Sequence, residues 1–158
     1  MTRAVDLANV INADGVALPQ IARNGLFFTT FATRTSQQTL IGDSGWVDHL
    51  STSITVAKQC SLLVIYSSSS SFESGPVQGF ARLVVDGGTI GNNSCCAKQS
   101  TANAAGSGTV FYDVQNIAAG AHTIKVQLRN TQGGSTWITP YFDADGNTAN
   151  ILGLLFYA

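Results

Sequence analysis

From residue 25 to the C-terminus the chain never holds a helical hydrophobic period for longer than two turns. Turn residues cut it instead into short apolar runs. The clearest run is 122–129, where Ile124, Val126 and Leu128 alternate with Thr123, Lys125, Gln127 and Arg129. A period of two predicts a strand with one face in a core and the other in water. Residues 26–33 are rich in aromatic and β-branched side chains, which favour strands. Residues 39–41, 46–50 and 53–56 are further short runs, and 60–66 is a longer unbroken apolar run suited to a central strand. Residues 67–76, Ser-Ser-Ser-Ser-Ser-Phe-Glu-Ser-Gly-Pro, read as a surface loop by composition.

The second half continues in the same manner. Residues 78–86 place Phe80, Arg82 and Val84 on one face and Ala81, Leu83 and Val85 on the other. Asp86-Gly87-Gly88 predicts a tight hairpin, because Asp-Gly accepts positive φ, and 89–96 returns from it. Residues 98–108 are small and polar, a loop or weak edge strand. Residues 109–114 form a strand, 118–121 turn the chain, 135–142 form another strand, and 143–147 make a hairpin tip. The final run, 149–157, is apolar enough to lie in the centre of a sheet. About nine or ten strands separated by regular turn signals indicate a single antiparallel β-sandwich of jelly-roll type over residues 25–158. No internal repeat supports a propeller or solenoid.

Residues 1–24 differ from this domain. Val5, Leu7, Val10, Ile11, Val16, Leu18 and Ile21 are scattered among polar residues, Ala13-Asp14-Gly15 is a turn signal, and Pro19 breaks regular structure. The segment reads as an extended N-terminal arm, with a short helical turn near residues 4–10. Its apolar points, chiefly Val5, Leu7, Val10, Ile11, Leu18 and Ile21, suit a groove on a partner. A strand of, or a cover over, the chain's own domain fits the same pattern.

A chain of 158 residues can bury roughly 70% of its unfolded surface, so a core forms without staples. Charged residues are 11% of the total, against about 25% in a typical globular domain. Interface cores are depleted in charge, so a weakly charged surface points to one partly covered by other chains, ahead of the alternative of a polar, uncharged surface that simply faces water. The net charge is −1 and no basic patch exists, which argues against nucleic acid as a partner. No apolar window is long enough to span a membrane, and the start of the chain lacks the continuous apolar region of a secretory signal. The expectation is synthesis in a host cytoplasm, reduced cysteines, and an outside location reached through assembly and lysis. Cys60 reads as a core residue. Cys95 and Cys96, adjacent in a strand, point to opposite faces and have no paired ligands for a metal.

Candidate chemistry fails on inspection. Gly42-Asp43-Ser44-Gly45 resembles the nucleophile motif of chymotrypsin-like proteases, but that order of residues needs a His and an Asp upstream, and both His49 and His122 follow it. Esterases named for Gly-Asp-Ser carry an Asp-x-x-His pair near the C-terminus, which is missing. Asp143, Asp145 and Asn147 suggest a calcium loop, but Gly146 is two positions too early and Leu154 stands where a bidentate Glu is needed. His122 reads as a hydrogen-bonding residue at a strand start. No catalytic residue, metal or cofactor is expected. Trp46, Trp137, Tyr66, Tyr112, Tyr141 and Tyr157 fit core or subunit contacts better than sugar stacking.

The run Gly120-Ala-His122-Thr-Ile124-Lys-Val126-Gln-Leu128-Arg129 resembles a turn and strand of small β-sandwich structural proteins of tailed phages, among them capsid decoration (cement) proteins and fibre or receptor-binding modules. Thr2-Arg3-Ala4-Val5-Asp6-Leu7-Ala8-Asn9 resembles the start of virion proteins of short-tailed phages. The two segments cover under a fifth of the chain. The resemblance implies a virion location, a trimeric jelly roll and the major capsid protein or another virion protein as partner. The expected role is a decoration protein that oligomerises on the shell and stabilises it. The alternative is a fibre, spike or receptor-binding module for a host surface glycan. A carbohydrate-binding module or small glycan-active enzyme comes third.

Overall fold

The computed structural model describes residues 26–100, 104–141 and 148–156. The arm 1–24, with its six named apolar residues, and the tip 143–147 lie outside the described residues. Within them the chain is all-β, with ten strands and no helix: β1 (Leu26–Arg34), β2 (Gln38–Ile41), β3 (Val47–Val56), β4 (Cys60–Ser74), β5 (Val77–Val85), β6 (Gly88–Gln99), β7 (Ala104–Ile117), β8 (Gly120–Asn130), β9 (Thr136–Thr139) and β10 (Ala149–Phe156).

The strands form two antiparallel sheets. One has the order β3-β8-β5-β6. The other has six strands built around β4: β7 pairs along one edge, while β10 and then β9 share the other, with β1 beyond β10 and β2 beyond β9. The chain crosses between sheets at β2–β3, β3–β4, β4–β5, β6–β7, β7–β8 and β8–β9. That repeated crossing makes the sandwich jelly-roll-like. Between the layers, Leu62, Val64 and Tyr66 of β4, Val110 and Tyr112 of β7, and Ile151 and Leu155 of β10 face Ala81 and Leu83 of β5 and Ile124, Val126 and Leu128 of β8.

Local chemistry explains most boundaries. Asp86 and Gly87 both take positive φ, 49° and 83°, so β5 and β6 turn through the twist-matched hairpin that Asp-Gly favours. β8 keeps the expected alternation: Ile124, Val126 and Leu128 are fully buried. β10 lies between β1 and β4, as its apolar composition requires.

Three expectations are corrected. The serine run is not a loop: β4 continues to Ser74, with Ser68, Ser70 and Phe72 buried in alternation. Small hydroxyl side chains can enter the core when paired, and Ser68 meets Thr139 Oγ1 at 2.7 Å while Ser70 accepts from Trp137 Nε1 at 2.9 Å. The runs 46–50 and 53–56 are one strand, β3, whose register shifts between Asp48 and Leu50. A bulge there buries His49 and Leu50 together and breaks the period. The strand expected over 135–142 is short, β9, and ends before Pro140, which cannot donate to the ladder. The region 98–108, left open between loop and edge strand, belongs to β6 and β7 at its two ends.

Candidate functional site

The sandwich presents two outer faces of different chemistry. On the four-stranded sheet, β3, β8 and β5 align polar side chains into a chain of contacts. Arg82 places its guanidinium 4.4 Å from the centre of the Trp46 ring, and its Nε donates to Gln127 Oε1 at 2.7 Å. Gln127 Nε2 donates to Asp48 Oδ1, and Lys125 Nζ donates to Asp48 Oδ2 at 2.8 Å. Those two donors hold the Asp48 carboxyl below its usual range, Lys125 contributing most. Arg82, Gln127, Asp48 and Lys125 border a shallow depression of about 410 Å³ that extends to Asp86, Gly87, Thr89 and Thr123. At its end His122 Nδ1 meets Asp86 Oδ2 at 2.6 Å and Nε2 meets the Ala118 carbonyl at 2.9 Å. The hydrogen bond to Asp86 raises the imidazole pKa and lowers that of the carboxyl. Both ring nitrogens are engaged, so His122 is the strand-end hydrogen-bonding residue expected.

The outer face of the six-stranded sheet is apolar at one end and hydroxyl-lined at the other. Phe111 of β7 pairs with Ile65 of β4, which pairs with Leu152 of β10, making one apolar row across three strands. The next row sets Asp113, Leu63 and Leu154 side by side, and Phe156 lies opposite Ser61 beyond it. Phe111 is 64% exposed and Phe156 42%. Toward the other end, Ser67, Ser69, Ser107, Thr109 and Thr148 line a groove of about 380 Å³. Sequence reasoning did not name Phe111, Ile65 or Leu152 as functional. The signal was present: adjacent residues in a strand face opposite ways, so Phe111-Tyr112 and Leu62-Leu63-Val64-Ile65 must put apolar groups outside as well as inside.

The sequence decoys resolve into structure. Gly42 is held close to the backbone of Gln132 and Gly134, Asp43 takes φ of 53°, and Ser44 Oγ accepts from the Asn130 amide at 3.1 Å. Arg129 ties the same turn through Ser44 O and Asp43 Oδ1. His49 lies elsewhere, with Nδ1 on Gln38 Oε1 and its ring edge-on to Tyr66. Burial holds its pKa down to about 3, and the Arg34 charge adds to this. Among the described residues no group of three or more His, Cys, Asp or Glu side chains is placed to hold a metal. Cys60 is buried, Cys95 is exposed, and burial pushes the Cys96 thiol up to about 12. Of the aromatics, Trp137, Tyr66 and Tyr112 are core residues, while Trp46 stands on the polar face and Tyr141 is half-buried.

No family model matches this chain, and no curated protein matches it. Solved structures with a similar course of chain include a sugar-binding protein, the EclA C-terminal domain, at 11% identity and a TM-score of 0.38, covering 70% of this chain and 74% of that one. A structure of infectious bursal disease virus, Gt strain, matches at 12% identity and a TM-score of 0.46, over 86% of this chain but 38% of the viral one. The carbohydrate-binding module CBM36, in complex with calcium and xylotriose, matches at 18% identity and a TM-score of 0.35, over 81% and 91% of the two chains. No residue role passes from these proteins to this chain.

Proposed function

We propose that this chain is a non-enzymatic structural subunit of a virion, and specifically a capsid decoration (cement) protein of a tailed phage. The observation that carries the assembly role is the apolar end of the six-stranded sheet's outer face, where Phe111, Ile65, Leu152 and Phe156 lie outside the core and Asp113 on β7 is the charged neighbour. Contiguous apolar patches on a soluble domain mark contact with another molecule. The phage assignment draws on the resemblance of residues 2–9 and 120–129 to virion proteins. In this reading the arm, through Val5, Leu7, Val10, Ile11, Leu18 and Ile21, docks on the major capsid protein, and the sandwich links neighbouring subunits.

The test is sedimentation with undecorated shells of the phage that encodes the protein. The full chain pellets with shells; a chain lacking residues 1–24 stays folded and self-associated but remains in the supernatant. Normal co-sedimentation of the shortened chain would contradict the arm's role, and failure of the full chain to pellet would contradict the decoration role.

A second reading, a receptor-binding module for a host surface glycan, is favoured by the other outer face. Trp46, Arg82, Gln127, Asp48 and Lys125 hold one another in place beside an open depression, a preorganised set of donors and acceptors next to an aromatic ring. Host envelope glycan binding that is lost in Trp46→Ala, without affinity for shells, would select this reading over decoration.

A further inference from the structure

β4 and β10 have the composition of strands covered on both faces; the four-stranded sheet covers one, and on the other Leu154 is buried by its neighbours while Leu63, Ile65 and Leu152 are half-buried. Their inward residues Leu62, Val64, Ile151 and Leu155 are at most 2% exposed. The outward residues Leu63, Ile65 and Leu152 lie outside the core, and among the described residues no layer is packed over them. Near-continuous apolar runs belong to strands buried on both sides. Among the described residues this apolar outer surface has no covering layer.

We propose that the cover is a second copy of this chain, stacked face to face on the six-stranded sheet, which makes the assembling unit a two-fold dimer in place of the trimer that the resemblance implies. The inference rests on reading this face as an assembly surface and names what covers it. Charge is the first reason. From Ser61 to Ser71 the outward positions of β4 carry no charge, nor do those of β10, and Asp113 is the charged residue beside them on β7. A partner must match that neutrality, because facing an unpaired charge with apolar surface is costly. The outer face of the four-stranded sheet carries Asp48, Arg82, Asp86 and Lys125 and is a poor complement. The same face on another copy is a better one, with Asp113 on the edge strand β7 left at the rim in water, and pairing a patch with itself gives a closed two-fold dimer.

Area is the second reason. The stretch of β4 paired on both sides, Ser61 to Ser68, is crossed by four strands: β1, β10, β4 and β7. With strands about 4.8 Å apart and a rise of about 3.3 Å per residue, the face offers about 500 Å² per copy, hence about 1,000 Å² per pair, where specific interfaces begin. Phe111 stands at the apolar row's outer end as the aromatic anchor such an interface needs.

Sedimentation equilibrium of the full chain tests the pairing. The expected result is twice the 16.5 kDa chain mass. Phe111→Asp and Ile65→Asp each weaken the dimer by about tenfold or more, with unchanged far-UV circular dichroism, because each buries a charge against an apolar partner. Lys125→Gln, on the other sheet, leaves the dimer intact. A chain that remains a monomer to about 0.1 mM, where even a weak micromolar pairing is populated, overturns the proposal. So does a trimer, a dimer insensitive to both substitutions, or a monomer that dimerises once residues 1–25 are removed, which would make that segment the cover. A monomer that still pellets with shells overturns the pairing and leaves the virion role standing; a dimer with no affinity for shells does the reverse.

Discussion

The indole Nε1–H of Trp137 donates to Ser70 Oγ at 2.9 Å, with both side chains inside the sandwich. This bond joins β9 to β4 and gives a serine-rich stretch a reason to enter the core. Removing the acceptor strands a buried donor, which costs about 1–3 kcal/mol. Ser70→Ala is therefore expected to lower stability by that amount in urea unfolding. Ser71→Ala, on the outward side of the same strand, changes it by less than about 0.5 kcal/mol.

Gly79 of β5 lies beneath the same indole. A Cβ placed there would stand 2.6 Å from the Trp137 ring. Overpacking a fitted core costs about 1–3 kcal/mol, so Gly79→Ala lowers the urea midpoint. If its midpoint equals that of the wild-type chain, the indole does not pack as described.

The two histidines act on stability in opposite pH ranges. His49 has its pKa lowered from 6.5 to about 3 by burial, so the unfolded chain takes up a proton that the folded chain refuses. Stability therefore falls as pH drops from about 6.5 toward 3, by up to about 1.4 kcal/mol per pH unit. His122 has its pKa raised by Asp86, so its contribution is complete below 6.5 and disappears as pH rises through the raised value. Asp86, lowered in turn, contributes above its unfolded range and loses that as pH falls. Urea midpoints across pH should show the acid-side slope reduced in His49→Gln and the alkaline-side loss reduced in Asp86→Asn.

Cysteine accessibility gives a further check. Cys60 is buried with its pKa raised by burial, and burial holds Cys96 protonated at neutral pH, whereas Cys95 is exposed. Thiolate is the reactive form. Intact mass after brief alkylation at pH 7 should show one label on native protein, at Cys95, and three on unfolded protein.

The architecture was legible where one residue pattern had one physical outcome. The alternation Ile124, Val126, Leu128 can bury one face of a strand, and Asp86-Gly87 accepts the positive φ of a tight hairpin. β4 beyond Tyr66 was not legible, because serine is exposed by default and enters the core only through partners distant in sequence, Thr139 and Trp137. β3 was divided in two because a bulge at His49 resets the period, and a bulge has no residue signature of its own here. The candidate faces follow the same logic. That β4 carries apolar residues on both sides could be read directly. Which side the four-stranded sheet would cover depends on the crossing connections, which no local pattern records. Trp46 and Arg82 are 36 residues apart in sequence, so their stacking needed the fold.

The copy number of this chain in purified virus particles separates a shell subunit from a tail subunit. A shell decoration role predicts hundreds of copies per particle, measured by quantitative mass spectrometry against the major capsid protein. A few copies or a few dozen would place the chain in the tail and contradict the decoration reading, and its absence from particles would contradict the virion role itself.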